Sequence, residues 1–125
     1  MRIGIVGSRN YENTDNVYIE LTNILTDYVL PYHKREDITI VSGGAIGVDT
    51  IAEQYAERWK LKTDIYKPDY ETYNKAAPII RNTDIVDNSD LIIAFWNGSS
   101  KGTLDTIIKA ARYGKRTIIV GDKYD

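Results

Sequence analysis

Short β-branched runs alternate along the chain with longer stretches whose apolar residues recur every three or four positions. Ile3-Gly4-Ile5-Val6 reads as a first strand, ended by Gly7-Ser8-Arg9-Asn10. From Asp15 the apolar positions Val17, Leu21, Ile24, Leu25, Tyr28 and Val29 trace one face of a helix, with Pro31 at its end. Ile38-Thr39-Ile40-Val41 reads as a second strand, and the tight loop Ser42-Gly43-Gly44-Ala45-Ile46-Gly47 follows it. Val48, Ile51, Ala52, Tyr55, Ala56 and Trp59 then predict a second amphipathic helix, with Trp59 in the core. Thr63-Asp64-Ile65-Tyr66 is a weaker third strand, and a polar, tyrosine-bearing loop runs from Lys67 to about Asn74. Pro78 suits the first turn of a third helix, where its missing N–H is not needed, and Ile79, Ile80, Ile85 and Val86 supply that helix's apolar side. Leu91-Ile92-Ile93-Ala94-Phe95 is apolar throughout, as a strand covered on both faces should be. The loop Trp96-Asn97-Gly98-Ser99-Ser100-Lys101-Gly102 leads to a fourth helix marked by Leu104, Ile107, Ile108 and Ala111 and stopped by Gly114. Thr117-Ile118-Ile119-Val120 is the fifth strand.

This alternation predicts an α/β fold: a parallel sheet of five strands with helices on both faces, joined by right-handed crossovers. Ligands of such sheets bind beyond the carboxyl ends of the strands, near the switch in strand order. The Gly/Ser-rich breaks follow strands one, two and four, so all three loops fall on that one edge. Small residues ahead of a helix let backbone N–H groups approach an anion, and the helix dipole favours negative charge there. Ser42-Gly43-Gly44-Ala45 and Ser99-Ser100-Lys101-Gly102-Thr103 both have this form. Arg9, Arg81 and Lys101 are candidate phosphate partners. Neither a Walker A loop nor G-x-G-x-x-G is present, which weakens a dehydrogenase reading.

Other residues carry bland readings beside functional ones. Tyr66, Tyr70 and Tyr73 are able to stack on a base or simply to pack. Trp96 stands at a core edge or a pocket wall, and Asp49 either caps the second helix or meets a ribose hydroxyl. His33, among Tyr32, Lys34 and Arg35, reads as a solvated residue at a helix end.

Composition narrows the function classes. A chain of 125 residues fits one domain, here taken as residues 1–125. With no cysteine and one histidine, neither a disulfide framework nor a thiolate or histidine metal site is expected, and no cofactor is implied. Met1-Arg2-Ile3-Gly4-Ile5-Val6 is too short and too soon polar for a signal peptide, and no apolar run is long enough to span a bilayer, so a cytoplasmic protein without a membrane partner is expected. The net charge of −2 disfavours nucleic acid as a partner.

Gly7-Ser8-Arg9, Ser42-Gly43-Gly44-Ala45-x-Gly47-x-Asp49 with Ala52-Glu53, Ile80-Arg81-Asn82, and Ser89-Asp90-Leu91-Ile92-Ile93-Ala94-Phe95 leading to Gly102-Thr103 resemble the SLOG superfamily. That superfamily includes the LOG, DprA and YpsA-like proteins, and the small stand-alone YspA-like branch is the most similar. The resemblance runs from Ile3 to about Val120. It implies a Rossmann-like three-layer sandwich with strand order 3-2-1-4-5 and a pocket for a nucleotide or ribose derivative such as ADP-ribose. It also implies that Gly7, Ser8, Gly43, Gly44, Arg81, Gly102 and Thr103 surround that pocket. With the loop chemistry above, the candidate ligand-binding set extends to Arg9, Ser42, Ala45, Asp49, Tyr70, Asn82, Gly98, Ser99, Ser100 and Lys101.

One departure bears on activity. LOG enzymes cleave the base–ribose bond of nucleoside monophosphates and carry Pro-Gly-Gly-x-Gly-Thr-x-x-Glu in the fourth loop. Here that glutamate position is Thr106, with Asp105 beside it. The leading expectation is therefore a binder of nucleotides or ADP-ribose-like molecules, acting as sensor, carrier or sink. The alternative is an N-glycosidic hydrolase using Arg81 and a carboxylate, Asp105 or Asp49. A DNA-associated module like DprA is the third reading. The resemblance and the small core of so short a chain also imply a homo-oligomer.

Overall fold

The computed structural model describes residues 1–122. Its strands are β1 (Arg2–Gly7), β2 (Thr39–Ser42), β3 (Lys62–Ile65), β4 (Leu91–Trp96) and β5 (Arg116–Gly121). The helices are α1 (Thr14–Ile24), α2 (Val48–Arg58), α3 (Tyr70–Tyr73), α4 (Ala77–Asp87) and α5 (Lys101–Arg112). The strands form one sheet in the order β3-β2-β1-β4-β5, every neighbouring pair parallel, with β1 at the centre. This is the α/β fold expected from the alternation of periods, with the Rossmann-like strand order that the resemblance implies. Among the described residues no helix is long and apolar enough to cross a membrane.

Alternation along the strands sorts their side chains between two apolar layers. Ile3, Ile5, Ile40, Ile93 and Phe95 pack with Val17 and Leu21 of α1 and with Ala52, Tyr55 and Ala56 of α2. Val6, Val41, Ile92 and Ala94 face the other way, against Ile85 and Val86 of α4 and Ala110 of α5. Two tight joints hold this arrangement at its ends. Asp122, buried after β5, accepts the N–H groups of Glu12 (2.8 Å) and Asn13 (2.7 Å), while the Tyr11 hydroxyl donates to the Gly121 carbonyl (2.8 Å). At the carboxyl end of β1, Gly7 lies so close to α2 that a Cβ on it would stand 2.4 Å from Val48 Cβ.

Several local expectations change. α1 runs directly into a π-helical turn over Leu25–Val29, closed by the Leu30 N–H on the Leu25 carbonyl (2.8 Å). The wider turn keeps Leu25 and Val29 buried and turns Tyr28 outward, where the Arg116 guanidinium lies 5.4 Å from its ring centre. Trp59 is not a core residue. It follows the last residue of α2, is exposed, donates its indole N–H to the Tyr18 hydroxyl (2.8 Å), and lies 5.9 Å from each of the Arg35 and Arg58 guanidinium groups. The segment read as a loop from Lys67 contains the short helix α3, because the Asp69 side chain accepts the Thr72 N–H (3.2 Å) and caps it. Ile79 and Ile108 lie on the outer sides of α4 and α5 and are exposed.

Because Val48 is branched at the very atom that a new methyl would meet, Gly7→Ala has no flexible neighbour to yield to it. The substitution is expected to lower stability by about 1–3 kcal/mol, read from the urea midpoint by circular dichroism. An unchanged midpoint would show that α2 can move off β1 freely.

Candidate functional site

The carboxyl ends of β1, β2 and β4 open into a cleft of about 630 Å³. Val6 and Gly7 come from β1, and Gly43, Gly44, Ala45 and Asp49 line the side toward α2. Arg81 and Asn82 of α4 stand opposite, and Ser100, Gly102, Thr103 and Thr106 bring the first turns of α5 to the cleft. Ile46, Pro68, Tyr70 and Pro78 add apolar and aromatic surface, and Arg9 adds a second cation.

Arg81 is fixed rather than free. Its Nη1 donates to the Gly43 carbonyl (2.7 Å) and its Nε to Asn82 Oδ1 (3.1 Å), while Nη2 has no partner of its own among the described residues. Gly43 permits the approach, since a Cβ there would stand 2.4 Å from Nη1. Asn82 passes the link on, donating from Nδ2 to the Gly102 carbonyl (3.2 Å) and to Asp105 Oδ2 (3.1 Å). The loop after β2, helix α4 and the start of α5 are thus joined through two side chains. Burial lowers the Arg81 pKa from its ordinary value, and the nearby Asp49 carboxylate opposes that shift.

Asp49 is the cleft's one lining carboxyl group among the described residues. Its Oδ2 accepts the Ala45 N–H (3.1 Å), which folds the loop back over the start of α2. Burial pushes its pKa up to about 6, and Glu53 adds to that rise, while the loop amides and Arg81 hold it back.

Most of the residues proposed from the sequence do gather here: Gly7, Arg9, Gly43, Gly44, Ala45, Asp49, Tyr70, Arg81, Asn82, Ser100, Gly102 and Thr103 all line the cleft. Ser8 and Ser42 sit one layer behind it as buried braces. Ser8 Oγ accepts the Asn97 N–H (3.2 Å) and lies 3.5 Å from Thr103 Oγ1. Ser42 Oγ donates to Glu53 (3.3 Å) and accepts the Gly44 N–H (3.3 Å).

Gly98, Ser99, Lys101 and Asp105 do not line the cleft. Asn97 Oδ1 accepts the N–H groups of Ser99 (3.0 Å) and Ser100 (2.8 Å), so the Gly98 turn closes on itself, with Gly98 and Ser99 exposed. Ser100 caps α5 by accepting the Thr103 N–H (3.4 Å), so the helix starts at Lys101 rather than at the apolar stripe. Thr103 and Thr106 occupy its inner face, and Lys101, two positions before Thr103, is turned to solvent. Asp105 is drawn to Lys109 (2.9 Å), which also donates to the Ile79 carbonyl (2.8 Å).

Of the tyrosines, Tyr70 alone reaches the cleft; Tyr66 donates to Asp64 Oδ2 (2.8 Å), and Tyr73 is exposed. Trp96 shapes the loop from outside the cleft, donating its indole N–H to the Ser100 carbonyl (3.0 Å). Val6, Ile46, Pro68, Pro78 and the buried Thr106 complete the lining without having been singled out as ligand contacts. The prolines flank the tyrosine-bearing segment, and that position was their one signal in the sequence. No group of three His, Cys, Asp or Glu residues able to hold a metal ion occurs among the described residues.

Residues 1–73 match the family model described as YspA, cpYpsA-related SLOG family. The Gene 61 protein of Mycobacterium phage D29 is 31% identical over 128 residues, spanning 98% of each chain. Two solved structures share the fold. DNA processing protein A from Helicobacter pylori, described for its single-stranded DNA binding mode, superposes with a TM-score of 0.69 at 19% identity, covering 100% of this chain and 67% of that one. The protein TM1055 superposes with a TM-score of 0.68 at 18% identity, covering 93% of this chain and 71% of the other.

The Asp49 shift has a stability consequence whose sign is fixed. The folded state holds this proton more tightly than the unfolded chain, whose carboxyl keeps the ordinary value of 3.8. The Asp49 contribution is therefore fully present below about pH 4 and is lost as pH rises through about 6. Its full size is up to about 3 kcal/mol, at roughly 1.36 kcal/mol per pKa unit. Asp49→Asn keeps an acceptor for Ala45 and removes the titration. Urea unfolding between pH 4 and pH 8 should show a flatter profile for the variant, gaining on wild type toward pH 8; parallel profiles would remove Asp49 as a titrating group in this range.

Proposed function

We propose that this chain, which belongs to the YspA, cpYpsA-related SLOG family, binds a nucleotide or an ADP-ribose-like small molecule in the cleft and acts as a sensor, carrier or sink for it. The reading takes residues 1–125 as a single nucleotide-binding domain. The observation that carries it is the Arg81 guanidinium, anchored through Nη1 and Nε with Nη2 left over, in a cleft that also receives the first turn of α5. A phosphate needs charge-assisted donors when it leaves water. Arg81 and Arg9 supply cationic donors, and the α5 start supplies helix-dipole charge with the Thr103 hydroxyl beside it. Pro68, Tyr70, Pro78 and Ile46 suit the flat apolar face of a base.

Calorimetric titration with AMP and ADP-ribose tests the reading, with a thymidine oligonucleotide run alongside as the DNA alternative. Arg81→Ala should weaken nucleotide binding by about 10- to 150-fold, the equivalent of roughly 1.5–3 kcal/mol for a charge-assisted bond. Arg81→Lys, which keeps charge near the Gly43 carbonyl, should fall between the two. Absence of nucleotide binding to the wild type at millimolar concentration would defeat the proposal, as would tighter binding of the oligonucleotide than of either nucleotide.

A hydrolytic reading is favoured by one observation, the near-neutral carboxyl of Asp49 inside the cleft. Against it, base–ribose cleavage builds positive charge on the sugar, and the position that carries a glutamate in the hydrolases holds the neutral Thr106. Release of adenine from AMP, followed by chromatography, is expected to stay at background for wild type and to rise in Thr106→Glu. Brisk wild-type release that disappears in Asp49→Asn would make the protein a hydrolase.

A further inference from the structure

The two edges of the sheet are built differently. β3 presents Lys62, Thr63 and Asp64, and Asp64 is tied to Arg2 by an ion pair, so charge and polarity guard that edge. β5 instead carries Ile118, Ile119 and Val120 in succession, with Ile119 52% exposed. No described strand pairs with its outer side. Its free N–H and C=O groups are strong donors and acceptors in need of partners. Beside it, between α1 and β5, runs a groove of about 460 Å³ lined by Glu20, Ile24, Tyr28, Ile118 and Val120 among others.

We infer that β5 pairs antiparallel with β5 of a second copy of this chain, about a two-fold axis at Ile118, joining the two sheets into one. Charge and register select a second copy as the occupant. Arg116, Ile118 and Val120 alternate onto the same face of the sheet, and the Arg116 contact with Tyr28 fixes that face as the one covered by α1. In an antiparallel pair centred on Ile118, residue 116 stands opposite residue 120. Arg116 of the partner subunit therefore comes to Val120, which lines the groove together with Glu20. Neither Glu20 nor Arg116 has an ion-pair partner within the described chain. The two-fold repeats the Glu20–Arg116 match on both sides, as a self-complementary interface requires. The cleft opens at the carboxyl edge of the sheet and stays clear of this contact, so the pairing stands independently of the ligand reading.

The chain has no cysteine, which makes single-cysteine cross-linking clean. Wild type should sediment as a dimer at micromolar concentration. Ile118→Cys should be captured as a covalent dimer by a short bismaleimide, whereas Ile79→Cys and Ile108→Cys, on exposed helix surfaces, should not. Glu20→Arg should weaken dimerisation about tenfold, and adding Arg116→Glu in the same chain should restore it. A monomer at every soluble concentration overturns the inference. So does cross-linking through Ile79 or Ile108 in place of Ile118, or a charge-swapped double variant that dimerises no better than Glu20→Arg.

Discussion

The absence of a side chain at Gly7 is the constraint on which the cleft depends. β1 lies at the centre of the sheet, paired to β2 on one side and β4 on the other, so its carboxyl end is where the connecting loops converge. α2 can set its first turn against that end only because Val48 meets bare backbone there. Once α2 is seated, Asp49 is fixed one residue further on, and the Ser42–Gly47 loop has to close over the gap between β2 and the helix. The Ala45 N–H on Asp49 and the Gly44 N–H on Ser42 are the bonds by which it does so. The last residue of β1 thus acts on residues of another loop, nearly forty positions later in the chain.

Arg81 then couples that loop to the opposite wall. A guanidinium offers five N–H donors in a plane, and here two nitrogens are committed to protein acceptors before any ligand arrives. A group already held this way loses little further freedom when it binds an anion, which is the benefit of preorganisation. Asp49 sets a counterweight. Its ionised form stabilises the half-buried cation, but burial favours its neutral form, so the charge of the pair varies in the range just below neutral pH. An anion entering the cleft adds negative charge beside Asp49, which raises the carboxyl's proton affinity further. Anion binding and proton uptake are therefore linked in the same direction.

Much of this was legible in the sequence because it rests on periodicity and on position. The β-branched runs at Ile3, Ile38, Leu91 and Thr117 are strands, and their alternation with helical stripes fixes the parallel sheet; the order 3-2-1-4-5 came from the resemblance. The three Gly/Ser loops lie on one edge because connections in such a sheet leave them nowhere else. What stayed hidden were features decided by caps and by single turns. Ser100 caps α5 and so starts the helix before its apolar stripe, which sends Lys101 outward although its charge and place in the loop suggested a phosphate contact. The π-helical turn after α1 and the turn of α3 capped by Asp69 leave no periodic signature. Trp59 falls on the apolar stripe of α2, yet stands past the helix's last residue, where the chain has already begun to leave the core.

The region around α5 shows how a carboxylate can stand beside a cleft without serving it. Asp105 and Thr106 are neighbours on a helix, so their side chains diverge by about 100°. Thr106 takes the inward direction, is buried, and turns its hydroxyl back to the Gly102 carbonyl (3.4 Å). Asp105 takes the direction toward α4, where Lys109 one turn along and the Asn82 amide both hold it. Freeing it for chemistry would strand the Lys109 ammonium and one Asn82 donor in half-buried surroundings, which is costly when nothing replaces the acceptor. The same pair also steadies Arg81, because Asn82 is the link between them. Asp105 therefore serves the geometry of the cation rather than the cleft itself, and Asp49 is left as the carboxyl group that lines the cleft among the described residues.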